Sequence, residues 1–229
     1  MSQDLIRETA CAVVDKLRSG DVSPLELLDV VEKRISEVDG KVNALPTLCF
    51  DRARTHAKAL MQKPAGARGL LAGLPVPIKD LTDVAGVLNT QGSPIFKDNI
   101  PAKSDLMVEH LEANGAVVYA KSNTPEFGAG ANTFNEVFGA TLNPWDTSKS
   151  AAGSSGGAAV ALATGMAWLA QGSDMAAACA APLPSAASSA CARASAASHI
   201  HQNPASIAIS AWSVRWHAMS RISRCCWMP

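Results

Sequence analysis

The distribution of glycine and charge along the chain limits which part of it can form an ordinary folded domain. All 20 acidic residues, all 16 glycines and every lysine lie before Met175. After that residue the only charged side chains are four arginines, in a background rich in alanine and serine. A stretch with no acidic residue, no glycine and no lasting apolar period is not typical of a globular domain. The sequence therefore confines the expected fold to residues 1–175.

Overall composition and charge narrow the class of protein. With 229 residues, 48% of them hydrophobic, and a formal net charge of zero, the chain can form one large domain or two small ones. The balanced charge argues against a nucleic-acid-binding surface. The longest apolar stretch, Ala158–Leu169, is too short to cross a bilayer, and the acidic N-terminus lacks the apolar run of a signal peptide. We therefore expect a cytoplasmic protein that does not contact membranes and keeps its cysteines reduced.

Helix start and stop signals predict three helices ahead of any chemically suggestive motif. The segment Ser23–Glu26 reads Ser-Pro-Leu-Glu, in which serine can cap a helix, proline suits its first turn and glutamate can reach back to the cap. This helix should run to about Val38. An earlier helix over Leu5–Arg18 should end at Gly20, and a third should cover Arg52–Met61. The N-terminal part is therefore expected to be helical.

Two short apolar runs alternate with a helix in the middle of the chain. Leu74–Ile78 and Ala116–Ala120 have the composition of buried strands. Between them, Ser104–Asn114 has the pattern of an amphipathic helix, closed by Gly115. Strands that alternate with helices predict an α/β domain with a central, partly parallel sheet.

Lys79 is the first residue whose position suggests chemistry, because it directly follows the apolar run Leu74–Ile78 and does not lie on a charged helix face. A lysine at the end of a strand most often reaches solvent, and this interpretation stays open on the residue alone. If such a lysine is buried, loss of hydration lowers the pKa of its amine, and the neutral amine becomes usable as a base.

A glycine- and serine-rich segment, Ser150–Gly157, leads into the run Ala158–Leu169, which we predict to be a helix. Glycines allow the backbone to turn tightly there. The segment is compatible with a flexible loop before a capped helix, and also with phosphate binding at the helix N-terminus. The P-loop form is excluded because no lysine follows the glycines at the required place. A third segment, Gln171–Asp174, can be a simple turn after a strand.

The order and spacing of these segments resemble the amidase-signature family. Gly73–Asp80 matches the family's opening Gly-Leu-Pro-x-x-x-Lys-Asp, and Ala120–Phe127 matches its Ala-Lys-Ser-Asn-Thr-Pro-Glu-Phe stretch. Asn143–Trp145 matches an Asn-Pro-Trp segment, and Gly153–Gly157 matches Gly-Ser-Ser-Gly-Gly. The resemblance covers at least residues 70–174. It implies the N-terminal part of the amidase-signature fold, with a mixed central sheet flanked by helices.

The resemblance also implies a Ser-Ser-Lys triad. Lys79 would be the base and Ser154 the bridging serine, which the family typically holds on a cis peptide bond. Met175, Ala176 and Ala177 occupy the positions whose backbone N–H groups hold the oxyanion. In the family reaction a nucleophilic serine attacks a small-molecule amide, and water hydrolyses the acyl-enzyme to a carboxylic acid and ammonia or an amine. No metal or organic cofactor is implied.

The position of the nucleophile departs from the family pattern. The family reads Gly-Ser-Asp or Gly-Thr-Asp, one residue, and then Gly-Gly-Ser-x-Arg, whereas this chain has Ala178 where the last serine belongs. Because a methyl group cannot form an ester, we expect the chain as written to be inactive. One base lost after the Met175 codon accounts for the difference. If the codons from Ala176 onward are taken as GCG GCA GCC TGC GC, one of the sets that encode these residues, a restored G in front makes them read Gly-Gly-Ser-Leu-Arg.

A second segment of the sequence is consistent with the same loss of one base. With TCG GTC CGA TGG CAC GCA ATG taken as the codons for Ser213–Met219, the restored frame reads Gly-Pro-Met-Ala-Arg-Asn, which resembles a segment found further along in the family. The alanine follows from Trp216 and His217 whichever codons are used elsewhere. We therefore expect residues 176–229 to be out of frame, so that the pair Cys225-Cys226 does not indicate a metal site.

The resemblance and the frame argument together divide the chain into three regions. Residues 1–64 form a helical region, residues 65–175 a partial amidase-signature core, and residues 176–229 an out-of-frame, poorly ordered tail. Since the family domain normally extends further, we expect an inactive, truncated amidase lacking most of the substrate pocket. Two alternatives stay open: a component like the A chain of a glutamyl-tRNA amidotransferase, which works with partner chains, and a non-catalytic binding module. Direct nucleic-acid binding is not expected, and the oligomeric state is open.

Overall fold

The structure of the chain, a computed structural model, describes residues 2–174 and 206–211. Within these ranges, helices come first and buried strands alternate with helices afterwards, as predicted for an α/β protein. The helices are α1 (Ser2–Ile6), α2 (Ala10–Ser19), α3 (Pro24–Val42), α4 (Phe50–Met61), α5 (Leu106–Ala113) and α6 (Gly156–Ala163). The strands are β1 (Thr47–Leu48), β2 (Pro75–Lys79), β3 (Val117–Ser122), β4 (Phe134–Asn135), β5 (Gly139–Ala140), β6 (Leu142–Asn143), β7 (Asp146–Ser150), β8 (Leu169–Asp174) and β9 (Ser206–Ala211).

The first predicted helix is two helices in the structure, so the expectation of one helix over Leu5–Arg18 is wrong. The chain leaves α1 after Ile6 and starts α2 at Thr9, whose hydroxyl accepts a hydrogen bond from the N–H of Ala12 at 3.2 Å. This side-chain cap fixes a new helix start within the predicted span. The predicted end is confirmed, because Gly20 closes α2 in a left-handed conformation with φ of 83°.

Helix α3 begins at the predicted capping box. The hydroxyl of Ser23 accepts from the N–H of Glu26 at 3.2 Å, and the carboxylate of Glu26 accepts from the N–H of Ser23 at 2.7 Å. The helix continues past the predicted end at Val38 and stops at Asn43, which takes a left-handed conformation. Its apolar face packs on α4 and β2, so the N-terminal helices cover the strands that carry the site.

The central sheet is mixed, as predicted. Strand β3 lies in its middle, parallel to β2 on one side and antiparallel to β1 on the other. Every residue of β2 and β3 is buried, which is typical of parallel strands covered on both faces. Strand β8 lies beside β2, and β9 pairs with β8 in antiparallel register.

The predicted helix Ala158–Leu169 is wrong in its second half. Helix α6 ends at Ala163, and Gly165 turns the chain with φ of 74°. Strand β8 begins at Leu169, so Gln171–Asp174 belong to a strand and not to a turn. The end of β2, the start of α6 and the end of β8 consequently meet in one place. No helix of residues 2–174 combines the length and apolarity that crossing a membrane requires.

Candidate active site

Lys79 ends strand β2 with its side chain fully buried, so the alternative of a solvent-exposed lysine is wrong. Its amine donates a hydrogen bond to the Ser154 hydroxyl, with 2.7 Å between Nζ and Oγ. It also lies 3.1 Å from Oγ of Ser173. The backbone N–H of Lys79 donates to the side-chain oxygen of Gln171 at 2.8 Å. Residues from β2, the glycine-serine loop and β8 therefore surround one buried amine.

The glycine-serine loop is tied to β8 and to the segment after β3. The peptide bond between Gly153 and Ser154 is cis, and the carbonyl of Ser154 accepts from the hydroxyl of Thr124 at 3.2 Å. Ser155 donates its hydroxyl to the carbonyl of Ser173 and accepts from the N–H of Ser173, both at 3.2 Å. These contacts hold the Ser154 side chain beside the Lys79 amine.

A second buried lysine supports the chain immediately after Lys79. Nζ of Lys121 lies 3.4 Å from Oδ1 of Asp80, and both side chains are fully buried. Lys121 also donates to the carbonyl of Thr82 and to the side-chain oxygen of Asn89, both at 2.8 Å. Burial raises the pKa of Asp80 and lowers that of Lys121, while the attraction between the two charges opposes both shifts.

The structure brings together two of the residues selected from the sequence, Lys79 and Ser154. The oxyanion positions Met175–Ala177 and the nucleophile position, Ala178, lie outside the described residues. The sequence did not predict that Ser173 contacts the Lys79 amine, although Ser173 lies in the candidate segment Gln171–Asp174. Across residues 2–174 and 206–211, no three histidine, cysteine or acidic side chains converge in a way that could hold a metal ion.

The arrangement of Lys79 and Ser154 is chemically suited to proton transfer. A buried amine in hydrogen-bond contact with a hydroxyl can accept its proton when the amine is neutral, and burial disfavours the charged form of an amine. Ser154 is only partly buried, whereas the Lys79 side chain that contacts it is fully buried. Such a pair can activate a nucleophile. If Ser154 only relays the proton, a third group must attack the carbonyl.

Comparisons with known proteins identify the family of the chain. The family model described as Amidase matches residues 26–182. The chain is 44% identical, over 151 residues, to the A chain of the glutamyl-tRNA(Gln) amidotransferase of Alkaliphilus metalliredigens, a match covering 64% of this chain and 31% of that protein. It is 40% identical, over 172 residues, to a putative amidase AmiB2 of Mycobacterium tuberculosis, covering 75% of this chain and 37% of the relative.

Among solved structures, a bacterial aryl acylamidase described as belonging to the amidase-signature family superposes with a TM-score of 0.68. The two chains are 31% identical, and the match covers 74% of this chain and 36% of the acylamidase. Sequence match and shared fold define the class as amidase-signature hydrolases. This chain belongs to that family. It spans about a third of the length of the relatives it matches, from 31% to 37%.

Proposed function

We propose that this chain carries the lysine and the bridging serine of an amidase-signature catalytic centre, and that the chain as written does not turn over substrate. The contact of 2.7 Å between Nζ of the buried Lys79 and Oγ of Ser154 carries the first half of the proposal. The alanine at position 178, where the family has its nucleophile, carries the second half. The protein that contains a serine there would hydrolyse a small-molecule amide in the cytoplasm, without a metal or organic cofactor.

In the proposed mechanism, Lys79 and Ser154 each accept a proton and later give it back. The neutral amine of Lys79 takes the proton of Ser154, and Ser154 takes the proton of the nucleophilic serine as that serine attacks the amide carbonyl. Backbone N–H groups at the positions of Met175, Ala176 and Ala177 stabilise the resulting oxyanion. The proton then returns through Ser154 to the leaving nitrogen, which departs as ammonia or an amine. Water hydrolyses the acyl-enzyme in the same way and releases the carboxylic acid.

We further propose that a one-base change of reading frame after the Met175 codon separates this chain from the active form. A restored base converts Ala176, Ala177 and Ala178 into Gly-Gly-Ser, so that residues 176–229 of the chain as written are out of frame. The pairing of β9 with β8 places the out-of-frame residues Ser206–Ala211 along the strand that ends at Asp174. Under this proposal that pairing belongs to the chain as written and is replaced when the frame is restored.

The decisive experiment compares two products of the gene. One is the 229-residue chain, and the other is expressed after one base has been inserted behind the Met175 codon. We expect release of ammonia or amine from simple aliphatic and aromatic amides by the second product only, and loss of that activity in its Lys79→Ala variant. Turnover by the chain as written that Lys79→Ala abolishes would overturn the proposal. Sequencing of the source DNA around the Met175 codon tells whether the natural frame is the restored one.

The identity to the A chain of an amidotransferase supports a second candidate, in which the restored protein functions with partner chains. In that case, the restored product alone would release little ammonia from glutamine, and activity would appear on addition of the partner chains. A non-catalytic module would instead bind inorganic phosphate at the glycine-serine loop, with no turnover in either frame. Isothermal titration with phosphate and the amide assay together separate the three outcomes.

A further inference from the structure

Thr133 lies in the surface segment ahead of the glycine-serine loop, yet its side chain is buried. Its neighbours Asn132 and Phe134 are exposed, whereas only 1% of Thr133 is exposed. A buried hydroxyl generally requires hydrogen-bond partners, since an unpaired one loses its hydration without compensation. Both partners of this hydroxyl belong to the loop that contains Ser154.

The hydroxyl of Thr133 bridges the two sides of that loop. Its Oγ1 donates to the carbonyl of Ala152 at 2.8 Å and accepts from the N–H of Gly156 at 3.0 Å. The backbone N–H of Thr133 donates to the same carbonyl of Ala152 at 3.1 Å. Ala152 and Gly156 stand two residues before and two residues after Ser154. One side chain therefore fixes the loop on both sides of the serine.

The glycines of the loop make this close approach possible. A Cβ atom added at Gly156 would lie 2.3 Å from Oγ1 of Thr133, and one added at Gly153 would lie 3.1 Å from it. Any side chain at Gly156 would thus displace the hydroxyl from its bridging position. Besides allowing the turn, the glycines leave space for the Thr133 side chain. The loop can therefore contact a segment that is distant in sequence.

We propose that Thr133 is a positioning residue for Ser154. Its hydroxyl holds Ala152 and Gly156 at a fixed separation, and this directs the Ser154 side chain toward the Lys79 amine. The proposal rests on the proposed role of Ser154 as the relay to Lys79. Thr133→Val keeps the shape of the side chain but removes both hydroxyl bonds, so the loop loses its bridge. Thr133→Ser keeps the hydroxyl and preserves the bridge.

The test follows the Lys79 amine directly and needs no turnover. In the full chain labelled with ¹⁵N-lysine, the Nζ resonance of Lys79 is assigned by its loss in Lys79→Arg. Ser154→Ala removes the contact and sets the size of the expected chemical-shift change. We expect Thr133→Val to shift the resonance in the same direction by a comparable amount. Thr133→Ser should stay close to the unsubstituted protein.

Thr164→Val is the matched control. Thr164 is also buried and donates its hydroxyl at the end of α6, to the carbonyl of Val160 at 2.7 Å, far along the helix from the loop. It should lower the melting temperature about as much as Thr133→Val but leave the Lys79 resonance in place. If Thr133→Val does not fold, Thr133→Ala and Thr133→Ser provide the same comparison.

The outcomes separate this proposal from the one it rests on. If Ser154→Ala moves the resonance and Thr133→Val moves it no more than Thr164→Val does, Thr133 is merely structural and the positioning role is overturned. The same conclusion follows if Thr133→Ser moves the resonance as far as Thr133→Val. If Ser154→Ala itself leaves the resonance unchanged, the Lys79–Ser154 pair is absent, and both proposals are overturned together.

Discussion

Glycine has opposite roles at two positions of this chain. Gly156 starts α6 beneath the Thr133 hydroxyl, where an added Cβ would collide at 2.3 Å. Gly40 lies inside α3 with no atom within 4 Å of an added Cβ. At the first position the missing side chain makes room for a contact, whereas at the second it only adds conformational freedom to the unfolded chain.

The two glycines therefore predict stability changes of opposite sign. Gly156→Ala should lower the free energy of unfolding by about 1–3 kcal/mol because the new methyl group forces the loop and Thr133 apart. Gly40→Ala should raise it by about 0.5 kcal/mol, since alanine is the better helix former and has free space. Urea unfolding of both variants measures the difference. A neutral or stabilising Gly156→Ala would show that Thr133 does not press on the loop.

At the level of single residues, the sequence predicted the site residues that lie in short sequence motifs. Lys79 and Ser154 were found because each lies in a motif whose spacing is specific. The role of Thr133 was not predictable, because its partners Ala152 and Gly156 lie in another segment and the hydroxyl bonds form only in the fold. A buried residue between two exposed ones usually appears in the sequence as an apolar residue between two polar ones. Across Asn132–Phe134 the buried residue is a threonine and an exposed one is a phenylalanine, so the sequence does not show which side chain points inward.

Strands β2 and β3 position Lys79. A buried ion pair joins β3 to the residue that follows β2. Lys121 on β3 neutralises Asp80 directly beyond the end of β2. The effect of burial on both pKa values exceeds that of the mutual attraction, so the pair itself adds little net stability. Removing Lys121 is different, because the Asp80 carboxylate then stays buried with no opposite charge beside it and keeps only the hydrogen bonds from the N–H and hydroxyl of Thr90.

Lys121→Met should therefore lower the free energy of unfolding by about 3–5 kcal/mol, the usual cost of an orphaned buried charge. The matched control is Lys149→Met, which removes an exposed lysine that pairs with Asp146 at 3.0 Å. Exposed pairs contribute little, so no measurable change is expected there. Guanidinium unfolding at neutral pH compares the two. Similar small effects for both variants would show that water reaches Asp80 in the folded protein.

The sequence predicted the helix boundaries at Ser23 and Gly20, but it missed the one that the side chain of Thr9 encodes. The capping box at Ser23 and the left-handed Gly20 were readable because each acts within a few residues. The end of α6 was misplaced because the apolar run Ala158–Leu169 fits a buried helix and a buried strand equally well. In the structure, Gly165 turns the chain after α6, and Leu169 starts a strand that lies beside β2.

On the scale of the whole molecule, stability is distributed unevenly. The ladder between β2 and β3 is fully buried, and the flanking amide of Val117 donates to the carbonyl of Leu74 at 2.9 Å. Strand β7 is mostly exposed, and its Ser148 amide donates locally to the side chain of Asp146 at 3.1 Å. Local opening therefore suffices to expose Ser148, whereas exposing Val117 requires separation of the central strands.

Hydrogen exchange should reveal this difference, and the buried ion pair provides the test. We expect the Val117 amide to exchange only through global unfolding, with a free energy equal to that from denaturant, and the Ser148 amide to exchange far faster. Lys121→Met should then accelerate exchange at Val117 by at least about a hundredfold, because each ~1.4 kcal/mol of lost stability corresponds to a factor of ten. Ser148 should be unaffected, since its opening does not involve the sheet. Equal acceleration at both amides would mean that β7 and the central sheet open as one unit. An unchanged Val117 would mean that Lys121 does not support the central strands that hold Lys79.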